Sequence, residues 1–162
     1  MPISKKSDWW YWGSKGPFDT KQKAIQVSQA AHASGYKEAN MNNDAVAQFV
    51  GTLLHSATLT HLMHFKTESY SQHVALAAYY DEIPELVDAL VESIQGAYEI
   101  ILAPYPSMFG NGDGEPLAYI KSLRDFVRLH RVDLPDDSEI QNEIDNIATL
   151  LNQTVYKLKF LK

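Results

Sequence analysis

The chain has 162 residues, of which 45% are hydrophobic and 21% are charged, and its formal net charge is −6. This length and balance indicate one main globular domain, and no apolar run approaches the roughly 20 residues that a membrane-spanning helix needs. The absence of cysteine excludes disulfides, thiolate nucleophiles and thiolate metal sites, and it favours the cytosol. The negative charge argues against an extended nucleic-acid surface, because phosphates are bound by clustered lysine and arginine.

Residues 1–42 differ in pattern from the rest of the chain and are predicted to form a small appendage. The opening residues, MPISKKSDWWYW, have no apolar segment of the kind that a signal peptide contains. The aromatic run WWYW at residues 9–12 predicts a short strand, and Gly16-Pro17 predicts a turn after it. The aromatic side chains are expected to dock on the main body of the protein, since they carry large apolar areas.

A helix is predicted to complete this appendage. Asp19 or Thr20 is expected to cap its first turn, and Gly35 is expected to end it just after Ala33. The appendage is therefore predicted to be an extended segment followed by a helix.

Residues 43–162 show helical periodicity and are predicted to form a four-helix bundle. Asn43 or Asp44 is expected to cap the first helix, and Pro84 is expected to kink or split the second. The segment APYPSMFGNGDGEP is predicted to be the longest loop, with GNGDG as a flexible turn. The predicted helices run, in chain order, from Asn43 to a break near residues 67–71, from about Tyr70 to Leu102, from about Pro116 to Arg131, and from a cap at Asp136, Asp137 or Ser138 to about Phe160.

Three of the six histidines fall in the stretch HLMHFKTESYSQH, residues 61–73. His61 and His64 continue the apolar stripe of the first long helix, whereas His55 lies on the opposite face and is expected to be exposed. Burying an unpaired polar group costs roughly 1–3 kcal/mol, so two histidines on a core-facing stripe need partners. The stripe comprises Val46, Val50, Leu53, Ala57, His61 and His64.

The second long helix adds an acidic stripe beside its apolar face. Asp81, Asp88 and Glu92 fall at i, i+7 and i+11, within about 40° of one another on a helical wheel. Carboxylates and imidazoles that converge between helices bind iron, manganese or zinc. The alternative interpretation is that the acids form a solvated edge and the histidines are hydrogen-bonded core residues. The apolar face beside the acids comprises Leu76, Tyr80, Ile83, Val87, Leu90, Val91 and Ile94.

The order and spacing of these side chains resemble the metal site of the Dps-like mini-ferritins, a branch of the ferritin-like bundles. Eleven residues separate His61 from His73, and fourteen separate His73 from Asp88. Three residues then separate Asp88 from Glu92. His64, which is followed by an aromatic residue, is an alternative to His61 as the first ligand.

This resemblance implies an all-α fold, a ferritin-like four-helix bundle that carries the small N-terminal appendage. It implies a homo-oligomer in which His61 (or His64) and His73 of one chain meet Asp88 and Glu92 of a neighbour. It implies iron as the metal, with manganese and zinc suited to the same ligands, and ferroxidase chemistry as the activity.

A second resemblance is to a family of uncharacterised tailed-bacteriophage proteins. It is carried by FVGTLLHSATLTHLMHFKTESYSQHVALAAYYDEIPELVDALVESIQG, by LRDFV and by the closing VYKLKFL, and it covers most of residues 47–161. It implies a viral origin and a setting in the host cytoplasm or the virion.

The two resemblances therefore imply two alternative functions. The first is a phage-encoded ferritin-like protein that binds and oxidises iron at a site between subunits. The second is a non-enzymatic phage protein that uses the bundle as a scaffold and contacts a phage or host protein through its Trp-rich N-terminus. Protection of DNA is the weakest interpretation, because little basic charge is available to neutralise phosphates.

Overall fold

The computed structural model describes residues 3–12, 15–33 and 42–161. The chain divides into two compact units, Met1–Asn40 and Met41–Lys162. Across the described residues the fold is mainly helical, with five α-helices and one three-stranded sheet. In this part of the chain no helix has both the length and the apolar character needed to cross a membrane.

The N-terminal unit contains the sheet. Strands β1 (Ile3–Lys6), β2 (Trp9–Trp12) and β3 (Lys15–Phe18) pair antiparallel in the order β1-β2-β3. The strand predicted at residues 9–12 is confirmed, but its two neighbours were not predicted, so the all-α description is wrong for this unit. Gly16-Pro17, expected to be a turn, lies inside β3.

One helix packs on this sheet. Helix α1 (Lys21–Ala33) contacts all three strands, and Trp12 and Ala24 are buried within the described residues. The hydroxyl of Thr20 accepts a hydrogen bond from the backbone N–H of Lys23 at 3.2 Å, which confirms Thr20 as the predicted cap. The predicted end at Gly35 lies outside the described residues.

The second unit contains the four predicted helices. They are α2 (Asn43–Lys66), α3 (Tyr70–Tyr98), α4 (Pro116–His130) and α5 (Ser138–Phe160). Helix α3 packs against α2 and α5, and α4 packs against α5 and α2. A short 3-10 turn, Arg131–Asp133, follows α4.

The ends of α2 and α3 differ from the prediction in detail. Helix α2 is capped by Asn42, not by Asn43 or Asp44, since the Asn42 side chain accepts from the N–H of Ala45 at 3.2 Å. Helix α3 ends at Tyr98, four residues earlier than predicted. Pro84 does not split α3, which is helical from end to end.

The later helices begin close to where they were predicted. Helix α4 starts at Pro116, as predicted, because proline suits the first turn and Glu115 caps the N–H of Ala118 at 2.9 Å. Asp137 precedes α5, but its carboxylate accepts from the hydroxyl of Tyr98 at 2.5 Å and does not cap the helix with its side chain. This bond ties the end of α3 to the start of α5.

The core of the second unit lies where the apolar stripes of the four helices meet. Tyr79, not the predicted Tyr80, is the fully buried tyrosine of α3. Ser56 Oγ donates to the carbonyl of Leu53 at 2.6 Å, so the Tyr79 hydroxyl donates to Ser56 Oγ at 2.7 Å. The fully buried apolar residues of the predicted stripes are Val46, Val50, Leu53, Leu76, Ile83, Val87, Leu90 and Ile94.

The loop between α3 and α4 lies along α2, so GNGDG is not the free turn that the sequence suggested. Gly112 has a φ of +64°, and a Cβ there would meet the carbonyl of Leu59 and the Cβ of Leu62, each at 2.9 Å. Lys66 Nζ lies 2.8 Å from the carbonyl of Asn111 and 2.5 Å from the carboxylate of Asp113. Close backbone approach at a glycine therefore holds this loop against the end of α2.

The buried Tyr79 hydroxyl predicts a loss of stability at high pH. Burial raises the pKa of Tyr79 well above its ordinary value near 10, so the unfolded chain releases this proton first. Tyr79 should therefore leave the free energy of unfolding unchanged below about pH 10 and lower it above that pH, by up to roughly 1.4 kcal/mol per pH unit for one such group. Urea unfolding followed by circular dichroism at pH 8 and pH 11 would measure this.

The variant Tyr79→Phe distinguishes the contribution of Tyr79 to this pH dependence from that of other tyrosines. At pH 8 it should lose about 1 kcal/mol, because the hydrogen bond to Ser56 is gone. At pH 11 its deficit should shrink, while a residual fall remains because burial also raises the pKa of Tyr119 to about 12. An equal deficit at both pH values would contradict the assignment to Tyr79.

A pair of glycine variants tests whether the close approach at Gly112 stabilises the loop against α2. Gly112→Ala should lower the free energy of unfolding by roughly 1–3 kcal/mol, since a side chain meets the backbone of α2 and the φ is positive. Gly96→Ala is the matched control, because Gly96 is helical and exposed, with no heavy atom within 4 Å of an added Cβ. The control should gain up to about 1 kcal/mol. Equal effects in the two variants would show that the loop does not depend on Gly112.

Candidate functional site

A three-residue turn places the end of α2 beside the start of α3. The N–H of Thr67 donates to the carbonyl of Met63 at 3.1 Å and so closes α2. Ser69 Oγ caps α3 by accepting from the N–H of Gln72 at 3.4 Å. Thr67 Oγ1 donates to the side-chain oxygen of Gln72 at 2.7 Å, which links the two helix ends across the turn.

The turn brings His64 of α2 against His73 of α3. The two rings are stacked with centroids 3.6 Å apart and planes 26° apart. His64 Nδ1 lies 3.0 Å from the backbone carbonyl of His73. A carbonyl can only accept, so Nδ1 carries a proton and donates, and the neutral tautomer with this hydrogen bond has its lone pair on Nε2. His64 is buried, whereas the side chain of His73 is exposed.

His61 lies one turn before His64 and stacks on other aromatic rings. Its ring centroid is 4.1 Å from that of Tyr80, with nearly parallel planes, and 4.5 Å from that of Phe65. We call these five side chains, His61, His64, Phe65, His73 and Tyr80, the histidine cluster. The three predicted histidines therefore do come together, along with two aromatic rings.

The stacked rings of His64 and His73 do not direct their nitrogens to one shared point. The lone pair of an imidazole nitrogen lies in the plane of the ring, so two stacked rings direct their lone pairs along nearly parallel planes. A single ion with bonds of about 2 Å to both rings requires one of them to turn. Within residues 3–12, 15–33 and 42–161, no group of three or more His, Asp or Glu side chains is arranged to hold a metal ion.

The predicted acidic ligands lie elsewhere on α3. Asp88 and Glu92 are both exposed, as is Asp81. His73 and Asp88 are fifteen residues apart on one helix, which is about 22 Å along its axis. One chain therefore cannot bring these acids to the histidine cluster, and their supply by a neighbouring chain stays a prediction.

Sequence reasoning missed Phe65 and Tyr80 as members of the cluster. Phe65 was noted as the neighbour of His64 in sequence, and Tyr80 was assigned to the core of α3. The available signal was helical spacing: Phe65 follows His61 by four residues, and Tyr80 follows His73 by seven. That Tyr80 and His61 meet depends on how α2 and α3 pair, which spacing within one helix does not show.

A pocket of about 520 Å³ lies beside the same turn. Its wall combines the end of α2, the cap of α3 and the glycine-rich loop before α4. Lys66 at this wall is paired with Asp113, and Glu68 adds a second carboxylate. The lining residues are Met63, Lys66, Thr67, Glu68, Ser69, Gln72, Gly112, Asp113, Gly114 and Pro116.

Two other histidines of the second unit, His55 and His130, lie away from the cluster. His55, expected to be exposed, is half-buried because the loop before α4 covers it near Gly110, and within the described residues its Nε2 is buried without a hydrogen-bond partner. His130 lies at the end of α4, where its Nδ1 is 3.2 Å from the carboxylate of Asp133. The placement of His55 therefore corrects the prediction.

Comparison with known proteins gives one match. Residues 64–158 match DUF5856, a family of unknown function, over more than half of the chain. No curated protein and no solved structure matches it. The matched segment contains His64, His73, Asp88 and Glu92, and it begins after His61. The chain therefore belongs to DUF5856, a family of unknown function.

Proposed function

We propose that residues 43–162 form a ferritin-like four-helix bundle that binds a transition metal, with iron as the first candidate, at a site completed by a second copy of the chain. The observation that supports it most is the hydrogen bond from His64 Nδ1 to the carbonyl of His73. Histidines that ligate metals commonly donate their second N–H to a backbone carbonyl or carboxylate, which fixes the tautomer and directs the other nitrogen to the metal.

This hydrogen bond favours His64 over His61 as the first ligand. His64 is buried and held in one tautomer, so its Nε2 is prepared to coordinate. His61 has its ring stacked on Tyr80 and Phe65, and no hydrogen bond of its ring is seen in the described part of the chain. His73 is exposed and can turn about its side-chain bonds, as a shared ion requires.

Two features support completion of the site by a second copy. Asp88 and Glu92 share α3 with His73 but lie too far along it to reach the cluster of their own chain. Large apolar side chains are exposed in the cluster and close to it in sequence: Phe65 is 70% exposed, Tyr70 82% and Val74 47%. Exposed apolar patches of this kind are typical of surfaces that contact another protein.

The chemistry of this donor set suits iron, manganese or zinc. Imidazole and carboxylate ligands bind all three, so the side chains alone do not select among them. Iron as a substrate would supply electrons to oxygen or peroxide, and this is the ferroxidase form of the proposal. In it, His64 and His73 hold the ion and Asp88 and Glu92 of the second copy neutralise its charge.

The second candidate is a non-enzymatic phage structural or host-interaction protein, acting in the host cytoplasm or the virion. The same exposed side chains, Phe65, Tyr70 and Val74, favour it, as does Trp9, which is 48% exposed. Trp12 is buried and cannot contribute to such a surface. This candidate predicts no dependence of the fold or assembly on metal.

Metal retention distinguishes the two candidates. The protein is loaded anaerobically with Fe(II), desalted and analysed for iron per chain, alongside His73→Ala, His64→Gln and His130→Ala. We expect about one iron per chain in the unmodified protein, little in the first two variants, and full retention in the third, whose histidine is remote from the cluster. No iron in the unmodified protein, or equal iron in all four, would overturn the proposal.

A mixing experiment tests whether the site lies between chains. His73→Ala and Asp88→Ala should each lose iron alone. In a symmetric pair made of one chain of each kind, one site regains an intact histidine set and an intact acid set, so mixing and re-association should partly restore retention. Absence of any recovery, with association shown by light scattering, would place the whole site in one chain or exclude these acids.

A further inference from the structure

The charge of the chain is unevenly divided between its two units. Residues 1–40 carry six lysines and three acidic residues, whereas residues 41–162 carry eight basic and seventeen acidic residues. The net charge of −6 therefore combines a basic N-terminal unit with a strongly acidic second unit. The three tryptophans of the chain all lie in the basic unit, within β2.

The two faces of the N-terminal sheet differ. Side chains alternate along a strand, so Trp10 and Trp12 share one face and Trp9 and Tyr11 share the other. Lys21 of α1 lies over the ring of Trp10 at 5.5 Å, and Trp12 is buried, which places α1 on their face. Trp9 and Tyr11 therefore lie on the face that α1 does not cover.

The uncovered face carries both aromatic rings and positive charge. Trp9 is 48% exposed, and Lys6 is its direct partner across the β1–β2 pair. Lys6 Nζ also lies 5.6 Å from the centre of the Tyr11 ring. Gly16 lets that ring lie close to β3, since a Cβ there would be 2.8 Å from Tyr11 Cδ1. Two rings and a lysine thus form one platform on the strands.

We propose that this platform, Trp9, Tyr11 and Lys6, binds single-stranded nucleic acid. Bases stack on exposed aromatic rings irrespective of sequence, and adjacent lysines neutralise the phosphates that follow. Lys5 pairs with Trp10 and lies 5.9 Å from its ring, so it belongs to the other face and Lys6 is the lysine of the platform. The platform is open to single strands and not to duplexes, because bases in a duplex keep their faces stacked on one another.

The alternative partner is an acidic protein surface. The aromatic rings favour single-stranded nucleic acid over it. Lysines alone would suit either a carboxylate surface or a phosphate backbone. A half-exposed Trp beside a Tyr supplies stacking surface that nucleobases use and carboxylates do not. The platform shares no residue with the proposed metal site, which lies in the other unit.

Intrinsic fluorescence gives a direct test in the full-length protein, because every tryptophan lies in β2. Titration with a dT 20-mer at 50 mM salt should quench this fluorescence with saturation. Trp9→Ala should weaken binding about tenfold, measured by anisotropy of a labelled dT 20-mer. Lys6→Ala should weaken it and reduce the slope of log K against log salt by about 0.7.

Controls make each outcome decisive. Tyr156→Ala removes an aromatic residue that is 55% exposed on α5, and it should bind like the unmodified protein, as should His73→Ala. Circular dichroism checks that Trp9→Ala is folded, and Trp9→Phe, which keeps a ring, should retain most of the affinity. Equal binding of a 20-base-pair duplex, equal competition by polyglutamate, or no loss in Trp9→Ala would overturn the proposal.

Discussion

The three-residue turn between α2 and α3 is the constraint on which the candidate site depends. With Thr67, Glu68 and Ser69 as the whole connection, the last turn of α2 has to lie beside the first turn of α3. Ser69 fixes where α3 begins, and Thr67 and Gln72 fix how the two ends meet. A longer connection would leave His64 and His73 near in sequence but free to separate.

The same turn explains why the histidines are tolerated near the core. A buried imidazole without partners would oppose folding, but His64 has a backbone acceptor and a stacked ring. The acceptor is the carbonyl of His73, in the first turn of α3. The intact interior of the second unit thus depends on a polar contact at its edge as well as on the apolar stripes.

Much of the second unit could be predicted because short stretches of its sequence carry the signals for its helices. Periodic apolar residues, the proline at position 116 and the short break after residue 66 set three of the helix boundaries within one or two residues. The end of α3 was misplaced because residues 100–102 are apolar and continue the pattern, although the helix stops at a left-handed Glu99. Apolar periodicity shows which side chains of a segment can be buried, but it does not show where the backbone leaves the helix.

The missed features depend on contacts between distant residues. ISKK and KGPF carry no alternation of their own, and they are strands because WWYW pairs with both. The loop before α4 looked like a free turn because the residues that hold it, Leu59 and Leu62, lie about fifty positions earlier. The stacking of His61 on Tyr80 likewise joins two helices. The apolar periodicity of each helix can be read without this contact, so neither pattern predicts it.

The division of the chain also changes what its net charge means. Electrostatic attraction between exposed charges falls off over about 8 Å at physiological salt, so a phosphate backbone responds to the lysines beside it more than to a total over the whole protein. A sum of −6 therefore argues against nucleic acid binding by the second unit. It carries little weight for the first unit, where lysines outnumber acids and Lys6 pairs with the exposed Trp9. In a chain made of two units, the net charge of the whole protein therefore cannot exclude nucleic acid as a partner. The charge of the individual surface has to be considered instead.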